Sequence, residues 1–129
     1  ARSERGIVVL DLDGDGFEQT GWVLVYLHIA DQGRTGAGRV VKTGDLLGHP
    51  SCEGGYATGT HVHIARKYNG EWMEADGPIP FTLDGWVVHS TDEPYKGTLT
   101  RDGEVIKANQ YGAHESQIEA ERLSGDNSE

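Results

Sequence analysis

The stretch HVHIARKYNGEWM, residues 61–73, decides the fold. Runs rich in β-branched and aromatic residues flank Asn69-Gly70, the pair that best suits a two-residue type I′ turn, because both turn positions need a positive φ. The segment therefore predicts an antiparallel β-hairpin. Since side chains alternate along a strand, His61 and His63 share one face of its first strand.

Two further hairpins are predicted on either side of this one. Upstream, GIVVLDL (residues 6–12) and GWVLVYLHI (21–29) are separated by the acidic segment DGDGFEQT. Downstream, GTLTRDGEVIKA (97–108) has a turn at Asp102-Gly103. Nineteen glycines against four prolines also favour many short strands joined by tight turns. The predicted class is mainly β, with antiparallel sheets.

The length of 129 residues suits a single domain. We place that domain at residues 1–112. Residues 113–129, which include ESQIEAERLSGDNSE, are assigned to a short helix and an acidic tail. Within the domain, RTGAGRVVKTGDLLGH (34–49) predicts short strands broken by turns.

The charge balance excludes some classes of function. The chain has 11 Lys and Arg against 21 Asp and Glu, a formal net charge of −10, so nucleic-acid phosphates and anionic lipid surfaces would repel it. We therefore expect no nucleic-acid partner. The sequence has no stretch near the ~20 apolar residues that a membrane helix needs. A single cysteine, Cys52, excludes an internal disulfide framework.

Histidines at the ends of two predicted strands form the first candidate site. His61 and His63 lie two apart, roughly 6–7 Å between Cα atoms, and His28 ends the run 21–29. Imidazoles bind zinc and transfer protons near neutral pH, so one ring could hold a metal while another handles a proton. The alternative is a pair of histidines on a half-exposed strand face, because an isolated H-x-H is a short pattern.

Three segments together resemble the second half of the M23 zinc endopeptidases, the lysostaphin-like and LytM-like peptidoglycan hydrolases. They are GWVLVYLHI, VVKTGDLLGHPS and TGTHVHIA, and their order and spacing match over residues 21–65. The resemblance implies an antiparallel sheet of the duplicated-hybrid-motif type. It also implies a zinc-dependent hydrolase that cuts peptide bonds of bacterial peptidoglycan, in a secreted, periplasmic or cell-wall-associated setting.

The resemblance also implies separate roles for the three histidines. His63 matches a zinc ligand, His61 the general base that acts on the zinc-bound water, and His28 the histidine that holds this water and stabilises the oxyanion. Zinc would lower the pKa of the water toward ~7 and polarise the scissile carbonyl. Tyr26 and Tyr56 are expected to line the substrate groove.

The family's other two zinc ligands, a His and an Asp spaced H-x-x-x-D, do not occur in the sequence. His28 and His89 each precede an aspartate by three positions, and His49 precedes Glu53 by four. Two explanations follow. The chain is the carboxyl-terminal half of a peptidase domain whose N-terminal half carries the ligands, which the early strand start at Gly6 favours. Alternatively, it is a non-catalytic M23-like module that binds the cell wall or regulates a partner.

A second candidate metal site lies in the segment DLDGDGFEQTGW. It matches the opening of an EF-hand calcium loop, with Asp11, Asp13 and Asp15 as oxygen ligands. The twelfth position is Trp22 instead of the usual glutamate, and the flanks are predicted strands. The alternative is an acidic hairpin turn whose Asp and Gly residues accept a positive φ. A calcium site would need further ligands.

Overall fold

A computed structural model describes residues 2–55, 59–112 and 114–118, and in it the chain is mainly β, as predicted. The chain divides into two compact units, the first ending at Met73 and the second beginning at Glu74. Each unit contains one antiparallel sheet. The predicted boundary at residue 112 falls inside the second unit, and the assignment of residues 1–112 to one peptidase domain stays a prediction.

The first unit contains a five-stranded sheet in which every neighbouring pair is antiparallel. Its order, β1-β2-β3-β4-β5, follows the chain. The strands are Arg2–Glu4 (β1), Ile7–Asp11 (β2), Trp22–Leu27 (β3), His63–Tyr68 (β4) and Glu71–Met73 (β5).

Both hairpins predicted in the first unit are confirmed. Strands β2 and β3 pair with Val9 opposite Val25. Strands β4 and β5 are joined by Asn69 and Gly70, whose φ values of 48° and 82° are those of a type I′ turn. The Asn69 Oδ1 atom accepts a hydrogen bond from the Gly21 N–H at 2.9 Å, which ties this turn to the start of β3.

One face of the first sheet forms its hydrophobic core. Val9, Val23 and Val25 are at most 7% exposed, and Leu27 and Ala65 pack against them. The inward face of β3 is therefore the purely aliphatic one that the alternation of its side chains indicates. Each fully buried valine stabilises the sheet by roughly 1.5–3 kcal/mol.

The short strands predicted within residues 34–49 do not form. This stretch is an excursion that leaves the sheet after Ile29 and returns at Pro50, where the two residues make an isolated bridge. The Ala30 N–H donates to the His49 carbonyl at 2.8 Å and closes it. Gly44 has a φ of 93°, and Val40 is 92% exposed, whereas Val41 and Leu47 are half-buried. The Thr35 N–H donates to the Leu47 carbonyl at 2.8 Å, so the stretch is held by hydrogen bonds without strand pairing.

The second unit contains a four-stranded antiparallel sheet of order β6-β7-β8-β9. The strands are Thr82–Leu83 (β6), Trp86–His89 (β7), Thr98–Arg101 (β8) and Glu104–Lys107 (β9). The hairpin predicted over residues 97–108 is confirmed, with positive φ values at Asp102 and Gly103. Trp86, 3% exposed, is the buried centre of this unit, and the Arg101 guanidinium lies 4.6 Å from its ring centroid.

The predicted carboxyl-terminal helix is represented among residues 114–118 by a single 3₁₀ turn, His114–Ser116. Residues 113 and 119–129 of that prediction lie outside the described part of the chain. Across the residues that are described, no helix has the length and apolar character needed to cross a membrane.

Asp76 connects the loop at the start of the second unit to the end of β7. Its Oδ2 atom accepts hydrogen bonds from the Ser90 N–H at 2.8 Å and the Ser90 hydroxyl at 3.2 Å. Its Oδ1 atom accepts one from the Gly77 N–H at 2.7 Å. The Ser90 N–H, and after it the Gly77 N–H, lower the pKa of Asp76 below its ordinary value of 3.8.

We expect Asp76→Asn to lower the melting temperature of the second unit near neutral pH. A carboxylate whose pKa is depressed by folding stabilises the fold above its unfolded value, near 3.8, and this stabilisation is lost as the pH falls through the lower folded pKa. The difference from wild type should therefore shrink steadily below about pH 4. Thermal unfolding followed by tryptophan fluorescence, in a background with Trp22→Phe and Trp72→Phe so that Trp86 alone reports, measures this difference.

The exposed Asp92 offers a matched control, because Asp92→Asn removes the same charge from the same unit. It should change the melting temperature little at any pH. An Asp76→Asn effect of equal size at acidic and neutral pH would contradict a role for the ionised carboxylate.

Candidate functional site

Strand pairing brings two of the predicted histidines together. Leu27, the last residue of β3, pairs with His63, the first of β4. His28 and His61 flank this pair, and their ring centroids lie 4.4 Å apart with the planes tilted by 48°. The loop residue Ser51 makes an isolated bridge with His61, which places residues 51–53 beside the pair as well.

His28 occupies an unusual backbone position. Its φ is 67°, in the left-handed region, and its side chain is buried with 7% exposure. A non-glycine residue held there costs of order 1–3 kcal/mol, and such residues cluster at functional sites. The Nδ1 atom of His28 lies 2.9 Å from the backbone carbonyl oxygen of Glu53.

His61 is exposed but also has a fixed ring nitrogen, since its Nδ1 atom lies 2.8 Å from the Gly59 carbonyl oxygen. A carbonyl oxygen can only accept a hydrogen bond, so Nδ1 must carry the proton in His28 and in His61. In both neutral rings Nε2 is then the nitrogen with the free lone pair. The pair therefore presents two Nε2 atoms that can accept a proton or bind a metal ion.

His63 is exposed at the start of β4. Among the described residues, one set of three or more potential metal ligands has all its ligand atoms within 4.8 Å of one another, and it is Asp11, Asp13 and Asp15. The three histidines do not form such a set.

Of the two tyrosines predicted to line the groove, the structure describes one. Tyr56 belongs to residues 56–58 and lies outside the described part of the chain. Tyr26 lines a cavity of about 940 Å³ in the first unit, together with Asp13 and Lys42. The described residues that line this cavity include none of the three histidines. Burial raises the pKa of the Tyr26 hydroxyl.

The acidic turn between β2 and β3 brings Asp11, Asp13 and Asp15 together, as the segment DLDGDG predicts. Their carboxylates also hold the turn. The Asp15 N–H donates to Asp13 Oδ1 at 3.1 Å, and the Phe17 N–H donates to Asp15 Oδ1 at 2.8 Å. The Thr20 hydroxyl donates to Asp15 Oδ2. These hydrogen bonds are compatible with a calcium site and with a plain acidic turn. The calcium site therefore stays a prediction.

The pKa values of two of these carboxyls are shifted in opposite directions. The Thr20 hydroxyl, followed by the Phe17 N–H, lowers the pKa of Asp15. For Asp13 the Asp15 N–H has the largest single effect and lowers the pKa, but the neighbouring Asp11 carboxylate helps to raise it overall. The like charge of Asp11 thus acts on Asp13, whereas the hydrogen bonds from Thr20 and Phe17 favour the charged form of Asp15.

The residues that hold His28 carry little recognisable signal in the sequence. Glu53 contacts His28 through its backbone carbonyl, and a backbone contact leaves no side-chain pattern to recognise. The adjacent Gly54 is a weak signal, because glycine often marks a close approach of two backbones. A Cβ added to Gly54 would lie 2.9 Å from the Gly6 Cα atom, so these two backbones do touch.

Comparisons of the chain with protein-family models, with curated proteins and with solved structures gave no significant match.

Proposed function

We propose that this chain carries the histidine part of an M23-type zinc endopeptidase site and acts on peptide bonds of bacterial peptidoglycan outside the cytoplasm. The observation that carries the proposal is the pair His28 and His61, 4.4 Å apart, with each Nδ1 held by a backbone carbonyl. The H-x-H segment His61–His63, which leads into β4, and His28, which directly follows β3, are the elements of the family resemblance.

The ring chemistry of His28 and His61 suits the two roles that do not bind the metal. Each ring has its Nδ1 proton on a backbone carbonyl, so Nε2 keeps the lone pair that a proton acceptor needs. The family resemblance assigns the metal to His63, the second histidine of H-x-H. Bound zinc would lower the pKa of a water molecule and polarise the scissile carbonyl. A catalytic zinc normally has three protein ligands, and the sequence has no H-x-x-x-D to supply the other two.

Proton transfer is the task of His61 in this proposal. Its Nε2 atom accepts a proton from the attacking water as the water oxygen bonds to the scissile carbon, and returns it to the amine nitrogen as the C–N bond breaks. His28 Nε2 has a lone pair in the neutral ring, so it accepts a hydrogen bond from the same water and orients it. His28 could donate to an oxyanion at Nε2 only after gaining a second proton.

Zinc dependence is the direct test of this function. A protein that combines this chain with an H-x-x-x-D segment should contain about one zinc ion per chain, and a chelator should stop its release of new amino groups from purified peptidoglycan until zinc is restored. The 129-residue chain alone should bind zinc weakly or not at all, because it lacks the other two ligands. Atomic absorption measures the zinc content, and chemical labelling measures the amines released. Hydrolysis that persists after complete removal of zinc would refute the proposal.

A non-catalytic M23-like module is the second candidate. It is favoured by one observation, the lack of an H-x-x-x-D segment in the sequence. Such a module would sediment with peptidoglycan but would neither hold zinc nor release amines. Sedimentation and the zinc measurement on the same sample separate the two functions.

A further inference from the structure

The hydroxyl of Ser51 links the two groups that meet at His28. It donates a hydrogen bond to the His28 carbonyl oxygen at 3.0 Å and accepts one from the Glu53 N–H at 3.0 Å. The Ser51 N–H donates to the same His28 carbonyl at 2.7 Å. The residue therefore binds the backbone of His28 at one end and orients Glu53 at the other.

The other end of this short loop is held by a contact between glycine backbones. A Cβ added to Gly6 would lie 2.6 Å from the Gly54 nitrogen and 2.9 Å from the Glu53 carbonyl carbon. The Gly6 carbonyl oxygen in turn accepts the Ile29 N–H at 3.0 Å. Glu53 is thus held between Ser51 on one side and the Gly6–Gly54 contact on the other, and its carbonyl faces the His28 ring at 2.9 Å.

We propose that Ser51 is a positioning residue that fixes the tautomer of His28. By holding the Glu53 carbonyl on Nδ1, the Ser51 hydroxyl keeps the proton there and leaves Nε2 as the reactive nitrogen. Without the hydroxyl, the Glu53 N–H and one lone pair of the His28 carbonyl lose their partner, and the loop no longer sets the direction of the Glu53 carbonyl. The His28 ring is then free to exchange between its two neutral tautomers.

The use of this nitrogen in catalysis rests on the proposed function, but the tautomer does not. In an active protein, loss of the hydrogen bond that orients the Glu53 carbonyl should lower kcat by about 10- to 100-fold, the range seen when a partner that orients a histidine of a metal site is removed. The tautomer can be measured without zinc or substrate. A fixed tautomer in a protein without hydrolytic activity would therefore support the positioning role while refuting the function.

The experiment is long-range ¹H–¹⁵N correlation spectroscopy of the imidazoles in the 129-residue chain, at a pH where the rings are neutral. In the wild type His28 should show a protonated Nδ1 and an unprotonated Nε2. In Ser51→Ala the two nitrogen shifts should move toward each other, while Ser51→Thr, which keeps the hydroxyl, should restore the wild-type pattern. Ser90→Ala removes a serine hydroxyl from the second unit and should leave His28 unchanged.

Two results would overturn the proposal. One is a wild-type His28 with its proton on Nε2, and the other is a Ser51→Ala protein that is folded and keeps the wild-type shifts. The amide shifts of β2 and β3 report folding in the same sample. Should Ser51→Ala fail to fold, Ser51→Cys under reducing conditions keeps the side-chain shape with a weak donor and acceptor, and the same convergence of shifts is expected.

Discussion

His61→Ala should lower kcat for peptidoglycan hydrolysis by about 10²- to 10⁴-fold, the range that a positioned general base contributes. His61 has its Nδ1 atom on the Gly59 carbonyl, and in the proposed mechanism its Nε2 atom takes the proton of the attacking water. Alanine has no group that can accept it. The affinity for substrate should change much less than kcat, because the lost interaction belongs to the transition state.

The stability of this variant should stay close to that of the wild type. The His61 side chain is exposed, and surface substitutions usually alter stability by less than ~0.5 kcal/mol. His114→Ala is the matched control, since it removes an exposed imidazole from the 3₁₀ turn of the second unit and should leave kcat unchanged. Equal rates for His61→Ala and wild type, with both proteins folded, would exclude His61 as the base.

Gly6→Ala should destabilise the first unit by about 2–5 kcal/mol. Gly6 has a φ of 71°, where an L-residue costs roughly 1–2 kcal/mol, and its added Cβ would collide with the Gly54 backbone at a cost of about 1–3 kcal/mol more. Since the colliding atoms belong to the main chain, relief requires residues 53–54 to move. The Glu53 carbonyl should then leave His28, and the melting temperature should fall by at least ~8 °C.

Gly14→Ala separates the cost of the positive φ from the cost of the collision with the Gly54 backbone. Gly14 has a φ of 70°, almost that of Gly6, but a Cβ there would meet no described atom within 4 Å. This control should therefore show only the backbone cost of about 1–2 kcal/mol and an unchanged His28 imidazole spectrum. Chemical denaturation measures the free energy of unfolding of both variants. Equal losses of stability would mean that the Gly6–Gly54 contact does not contribute to the cost of Gly6→Ala.

The parts of the fold that were predictable are those whose information is local. Asn69-Gly70 and Asp102-Gly103 specify tight turns by their own backbone preferences, and the flanking strands follow from alternation. Residues 34–49 were wrongly predicted as strands, because branched residues such as Val40 indicate a strand only when a partner strand is present to pair with them. That partner is decided by the rest of the fold.

The candidate site likewise has one part that could be predicted from the sequence and another that could not. The sequence indicated that His28 and His61 end neighbouring strands, so their meeting in space could be anticipated. The carbonyls of Glu53 and Gly59 on the two Nδ1 atoms could not, because every residue has a carbonyl and only the folded loop decides which one faces a ring. The left-handed backbone of His28 could not be predicted from the sequence either, since a positive φ is uncommon for any residue other than glycine.

The closure of the excursion between Ile29 and Pro50 makes the sheet tolerant of changes in chain length. The entropy of joining the ends of a flexible loop grows only with the logarithm of its length, and doubling the loop costs about 0.6 kcal/mol. The bridge at Ile29–Pro50 and the bond between Ala30 and His49 fix both ends of the excursion, whatever lies between them. We therefore expect residues added or removed around the exposed Val40 to have a small entropic cost and to leave the backbone at His28 in place.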